Sequence, residues 1–340
     1  MRKYLSQISL LGLLLLICVS FSIEFKKPLY FEIPKNWPKP KYDFKKNPLT
    51  EEGFQLGRNL FYDPIISRDS TISCASCHLQ QTGFTHVDHQ LSHGIDGKIG
   101  TRNSLALINL AWNKDFMWDG GVNNLEVQPL NPITNPLEMD ETLEHVIVKL
   151  QRREKYKTLF NKAFGDNKIT SQRILKALAQ FTSMLKSDNS KYDKVMREEA
   201  SFAENEKHGY DLFKTNCASC HKEPLFNGDK FEKNGLPIDA TLNDLGRIKI
   251  TGKHDDYLRF RIPTLRNIQF TFPYMHDGRF KTLKEVIKHY NSLGHNNSLS
   301  KELANPMYLS DSDRVDLVAF LHTLTDKDFL FNKRFSFPKE

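Results

Sequence analysis

The pentapeptide Cys-Ala-Ser-Cys-His occurs twice in this chain, at Cys74–His78 and at Cys217–His221. Two thiols at this spacing can add across the two vinyl groups of one porphyrin. The histidine that follows is then held beneath the ring, where its imidazole binds the iron. Two copies imply two covalent c-type haems, and two haems in one chain imply redox chemistry. Other uses of paired cysteines fit less well. Zinc ribbons place their pairs about 15–20 residues apart, whereas His78 and His221 lie 143 residues apart. A disulfide across a two-residue gap is a poor staple. A thioredoxin-like pair does not explain the repeated histidine.

The stretch from residue 79 to residue 140 is dense in functional residue types. It carries His86, His89 and His93, then Gly94-Ile-Asp-Gly-Lys-Ile-Gly-Thr-Arg-Asn103, Met117-Trp-Asp-Gly-Gly121, Gln128 and Asn131-Pro-Ile-Thr-Asn-Pro-Leu-Glu-Met139. A glycine-flanked loop with three histidines beside a haem could supply a sixth iron ligand in one state and withdraw it in another. The plainer reading, preferred for His86 and His89, is a solvated loop.

Something must position these motifs, and the sequence is duplicated around them. Gly57-Arg-Asn-Leu-Phe61 precedes the first and Gly209-Tyr-Asp-Leu-Phe213 the second. The offset between the haem motifs also carries Ile174, Leu178 and Phe181 onto Leu317, Leu321 and Leu324. Each triplet lies on one helical face. Ser310-x-x-Asp313 reads as a capping box at the start of the later helix. Each half is thus expected to run helix, haem motif, irregular middle, closing helix. Strand signals are weak. The expected fold is all-α: two cytochrome c-like domains in tandem, each enclosing one covalent haem, with long irregular loops. The expected divisions are a signal peptide at 1–22, an extended arm at 23–48, and domains at 49–190 and 191–330.

The 340 residues suffice for about two domains, and 39% hydrophobic content supports real cores. The net charge of +7 suits an acidic redox partner, although a diffuse lysine-rich surface is more often simply solvated. No basic block interleaved with aromatics points to nucleic acid. Arg2 and Lys3, the apolar run Ile8–Val19, and small residues Ser20 and Ser22 read as an export signal cleaved after Ser22. The expected location is the periplasm, with an uncleaved membrane anchor as the alternative. Removal of Cys18 leaves four cysteines, all in the haem motifs.

With these motifs together, the chain resembles the bacterial dihaem cytochrome c peroxidases and their MauG-type relatives, from about Leu49 to Thr325. Besides both haem motifs, the resemblance rests on Arg102-Asn103, Trp118-Asp-Gly120, Asn135-Pro-Leu-Glu-Met139, Asp244-Leu-Gly-Arg247, Pro263-Thr-Leu-Arg-Asn267 and Pro273-Tyr-Met-His-Asp-Gly278. It implies that the haem on His78 meets peroxide and that the haem on His221 is the electron-entry or charge-storing centre. It makes Trp118 the coupling residue between them. Glu138 becomes the acid that relays a proton during O–O cleavage, with Gln128 and Pro132 lining the same pocket. It assigns Asn103, Thr271 and Pro273 to a calcium ion, and oxygen ligands of that kind suit calcium. It makes His93 the distal histidine that some members withdraw on reduction. Peroxidase-type members carry methionine seventeen residues after the proline matching Pro273. Tyr290 stands at that position here, as in MauG-type enzymes, with Met275 as the competing ligand. A phenolate favours higher oxidation states of iron, and a thioether favours the lower one.

Three functions are compatible with these residues. The first is a peroxidase that reduces hydrogen peroxide with electrons from a small cytochrome or cupredoxin. The second is a MauG-type oxidase that uses peroxide to oxidise a protein or small molecule. The third is a non-enzymatic dihaem electron carrier, against which Glu138, Trp118 and the His-Gly loop argue. The first is preferred as the general activity. A homodimer is the other partner considered.

Overall fold

The computed structural model describes residues 27–293, 299–304 and 306–339. The expected export signal lies outside them. Among the described residues no helix is long and apolar enough to cross a membrane. The chain is mostly helical, and the described strands are two-residue pieces, β1 (Phe231–Glu232) and β2 (Phe260–Arg261), paired antiparallel.

Two helix pairs build the two domains. In the first, α1 (Glu51–Tyr62) crosses α6 (Ser171–Ser183); α2–α5 (Cys74–Cys77, Leu130–Thr134, Leu143–Gln151, Glu154–Phe164) lie between them in sequence. Thr50 and Thr170 cap the crossing pair through side-chain oxygens. In the second, after α7 (Lys191–Met196), α8 (Glu204–Asn216) crosses α11 (Asp311–His322), with α9 (Ile248–Thr251) and α10 (Leu283–Ser292) between. The capping box expected at Ser310 and Asp313 is formed.

Glycine sets both crossings. A Cβ on Gly57 would lie 1.9 Å from the carbonyl oxygen of Ala177, and one on Gly209 would lie 1.9 Å from that of Asp316. Next to each sits a phenylalanine of the closing helix, Phe181 or Phe320. The repeat therefore pairs Phe181 with Phe320, four residues (one helical turn) away from the offset suggested by the haem motifs. Leu324, expected on the closing helix, falls beyond its last residue, His322.

Each core is organised by the same aromatic triad. Phe61, Phe84 and Phe181 have ring centroids 5.9, 5.0 and 6.4 Å apart for the pairs 61–84, 61–181 and 84–181. Phe213, Phe226 and Phe320 repeat this at 5.4, 5.1 and 6.3 Å. All six rings are buried. The approach to the haem motif differs. α8 runs directly into Cys217, whereas α1 ends at Tyr62 and a 3₁₀ turn and loop intervene before Cys74.

The first core also takes Phe329, Leu330 and Phe335 from beyond the second core. α12 (Lys327–Leu330) and the residues after it return to α1. Arg58 Nε donates to the carbonyl of Ser336 at 2.6 Å, and Tyr62 donates to that of Phe335 at 2.7 Å. The expected domain end at residue 330 thus cuts through a segment that closes the first domain. At the other end, residues 27–48 contain no helix and lie over the body. Lys41 and Tyr42 amides donate to Ala111, Trp112 Nε1 donates to Pro38, and Trp37 covers the guanidinium of Arg266 at 4.6 Å.

Candidate active site

The two motif histidines are held alike. His78 Nδ1 donates to the carbonyl of Phe84 at 2.7 Å. His221 Nδ1 lies 3.2 Å from the carbonyl of Phe226 and 3.1 Å from that of Pro263. A carbonyl can only accept, so the proton sits on Nδ1 and Nε2 is left free for iron. Burial pushes both imidazoles down to about 4, which keeps them in the neutral, ligating form.

Cys77 and His78 open into a cavity of about 440 Å³. Its walls include Met117, Trp118, Gln128, Pro132 and Glu138. Glu138 stands in the turn after α3. Burial raises its carboxyl above the usual range, and a 2.8 Å hydrogen bond from Asn135 Nδ2 works in the opposite direction. The hydrogen bond also fixes the direction of the carboxyl. Gln128 Nε2 points at Met117 Sδ, 3.9 Å away.

His93 stands apart from this wall. Its ring is not in the cavity wall; it stacks on His89 at 4.1 Å, and His89 stacks on His86 at 5.2 Å. Its backbone pairs with Ile99, and its carbonyl accepts from Cys77 Sγ at 3.2 Å. The pairing with Ile99 closes the loop on itself. Among the described residues no group of three or more His, Cys, Asp or Glu side chains is arranged to hold a metal ion, so the stack is not a preformed metal site.

Trp118 lines the cavities of both halves. Its Nε1 donates to the carbonyl of Asn103 at 2.8 Å, and its own carbonyl accepts from the Arg261 amide at 2.7 Å. Its loop is bolted to the second domain. Arg102 bridges Asp119 at 2.6 Å and Asp244 at 2.6 and 2.9 Å, while Arg247 donates to the carbonyl of Asp119 at 2.8 Å. These bonds explain why Arg102 and Asp244-Leu-Gly-Arg247, 142 residues apart at Arg102 and Asp244, belong to one site.

The second cavity, about 190 Å³ and mostly apolar, is walled by Cys217, Cys220, His221, Met275, Tyr290 and Met307. Tyr290 comes from α10, whose start is fixed by a capping box at Thr282 and Glu285. Its phenol is pushed up by burial. Met275 adopts a left-handed backbone, φ 79°, and its sulfur accepts from Asn234 Nδ2 at 3.6 Å. That contact uses one of the two sulfur lone pairs, so Met275 and Tyr290 both remain in the wall as candidate ligands. Met307 is a second methionine thioether in the same wall, one that the sequence pattern did not single out.

Between the haem cavities is a small one of about 60 Å³, with Asn103, Thr271, Pro273 and Trp118 in its wall. Asn103 Nδ2 donates to the carbonyl of Gln90 at 3.0 Å, which leaves its Oδ1 available to another partner. The three residues expected at one ion are therefore brought together.

Sequence reasoning missed Phe84 and Phe226, although a signal was present: each follows its motif histidine by five or six residues. It also missed Arg261 and His276. Both are buried, both line the second cavity, and each has a ring or guanidinium nitrogen without a partner among the described residues. Orphaned donors of this kind, beside Cys-x-x-Cys-His motifs, fit a cavity shaped for a haem and its carboxylates.

Comparison with known proteins agrees with this geometry. The family model described as di-haem cytochrome c peroxidase matches residues 51–201, and that described as cytochrome c matches residues 206–325. The chain is 37% identical to the methylamine utilization protein MauG of Methylorubrum extorquens, over 86% of this chain and 83% of that one. It is 34% identical to the cytochrome c551 peroxidase of Nitrosomonas europaea, over 80% and 79%. The crystal structure of a MauG-like protein associated with microbial copper homeostasis superposes with a TM-score of 0.83 at 32% identity, covering 91% of this chain and 99% of that one. With its two cytochrome c-type domains and two c-type haem motifs, the chain belongs to the di-haem cytochrome c peroxidase/MauG family.

Proposed function

We propose that the protein reduces hydrogen peroxide at the haem carried by His78, with electrons passing from the second haem by way of Trp118. One peroxide, two electrons and two protons give two waters. The observation that carries this reading is Glu138: a buried carboxyl, raised by burial and aimed by Asn135, in the wall of the first cavity. Bound haem supplies an iron to which peroxide can add and through which electrons leave. Glu138 accepts a proton from one peroxide oxygen and returns it to the other. Trp118, held by hydrogen bonds at both its indole and its carbonyl, keeps one orientation between the cavities. His93, outside the wall, leaves this cavity open to peroxide.

Tyr290 favours a second reading, that of a MauG-type oxidase. A phenolate on the second iron would stabilise the oxidised dihaem pair and make it a poor acceptor from high-potential donors. Part of the same proposal is a calcium ion at Asn103, Thr271 and Pro273, held by neutral oxygens. So is export to the periplasm, where a small cytochrome or cupredoxin would serve as donor. Stopped-flow mixing with peroxide, with and without a reduced small cytochrome, separates the two readings. Steady donor oxidation marks the peroxidase. A long-lived oxidised spectrum with peroxide alone, indifferent to the donor, marks the oxidase. No reaction with peroxide in either arm overturns both.

A further inference from the structure

Arg261 and Arg266 are the arginines classed as buried among the described residues, and they differ in one respect. Arg266 grips Asp193 through two nitrogens, at 2.8 and 2.7 Å, and also donates to the carbonyl of Pro224. Among the described residues Arg261 has no such carboxylate. Its Nε is sealed from solvent without an acceptor. Burial pushes its guanidinium down to about 10, and the charge of Asp115 offsets this only in part. An unpaired buried charge costs several kcal/mol, and proteins retain one where a partner arrives from outside the chain.

The position indicates which partner. Arg261 lines the first haem cavity, the second haem cavity and the small cavity between them. It sits on β2, fixed to Trp118 by its own amide. Its strand neighbour Phe260 stacks on His276 at 3.8 Å, and His276 Nδ1 is a second buried nitrogen without a partner in the wall of the second cavity. The chemistry called for is an anion with planar oxygens, suited to a guanidinium fork. A haem brings two carboxylates of that kind into the cavity.

We propose that Arg261 is the seat of a haem propionate in the second cavity. Its charge, placed in the wall common to both cavities, also raises the reduction potential of the first haem. The inference rests on both haems being bound and not on the choice between peroxidase and oxidase. The haem count per chain, by pyridine haemochromogen, tests that premise separately.

The test is Arg261→Gln and Arg261→Lys in the haem-loaded protein, read by resonance Raman of the propionate modes and by potentiometric titration. In Arg261→Gln the propionate band of the second haem should move. Each haem should shift towards the ferric form by about tenfold in its ferric-to-ferrous ratio, or ~59 mV for one electron. Arg261→Lys, which keeps the charge and loses the fork, should move the band while recovering most of the potential. Should Arg261→Gln fail to load haem, the lysine variant alone decides through its band. Loaded variants with an unmoved propionate band overturn the proposal, whether or not the potentials change.

Discussion

His78 donates its Nδ1 hydrogen to the carbonyl of Phe84 at 2.7 Å, and Phe84 presents that carbonyl from a left-handed backbone, φ 57°. Phe226 does the same for His221 from φ 52°, at 3.2 Å, and shares the hydrogen with Pro263. One phenylalanine in each domain thus joins the core triad to the iron ligand.

This geometry reverses an ordinary preference. Removing the Phe84 ring should cost about 3–5 kcal/mol in either a glycine or an alanine variant. Alanine must also hold a left-handed backbone, at about 1–2 kcal/mol, which glycine accepts freely. Phe84→Gly should therefore be more stable than Phe84→Ala by about 1 kcal/mol. Denaturant titration of the loaded proteins measures the order, and the opposite order would show that the backbone conformation is not what matters.

Glu138→Gln should retain both haems and lose about 10²–10⁴-fold in peroxide turnover. Asn135→Leu is the finer probe. To take a proton from peroxide, Glu138 must be ionised. The Asn135 bond favours the ionised form, so its loss raises the carboxyl further. The acid limb of the kcat/KM profile should then move to higher pH while the plateau is reached later. An unmoved limb assigns the proton to another group.

Tyr290→Phe and Met275→Leu decide the second ligand. If Tyr290 binds, its removal should raise the second haem's potential by more than tenfold in the ferric-to-ferrous ratio, ~59 mV. Met275→Leu should then change little. A sharp fall in Met275→Leu with Tyr290→Phe near wild type assigns the thioether instead and removes the support for an oxidase.

Gly57→Ala and Gly209→Ala each drive a methyl into a carbonyl of the closing helix. Each should destabilise its own domain by about 1–3 kcal/mol or more. Thermal unfolding with the haem Soret band as probe would register the loss; a neutral substitution would mean that the helices can slide apart.

Asp244 predicts an acid transition. Burial would raise its carboxyl, but the hydrogen bonds and charge of Arg102 bring it down to about 2. The ordinary value is about 3.9, so the folded form is favoured above that pH. The benefit, about 2–3 kcal/mol, fades as pH falls towards 2. Asp244→Asn should remove this dependence between about pH 4 and 2, measured as stability against pH.

The haem motifs, the helical class and the halves were legible because covalent haem attachment demands a fixed local spacing. The repeat register was not. It is set by Gly57 and Gly209 against backbone carbonyls, and nothing ties that contact to the distance from the cysteines. The side on which the His93 ring rests was not legible either, because spacing places a residue on a loop without saying which way the loop closes. Arg261 was invisible for a different reason. Its meaning lies in the absence of a carboxylate around it among the described residues, and absence is a property of three dimensions. The return of Phe329, Leu330 and Phe335 to the first core was hidden likewise, since their apolar character fits either domain.

That return has a consequence for biogenesis. A ribosome completes the first haem motif long before it reaches Phe329, so the first domain leaves synthesis with a gap in its core beside Phe54 and Phe84. The gap closes only when Arg58 and Tyr62 receive the carbonyls of Ser336 and Phe335. The domain made first is thus the one finished last.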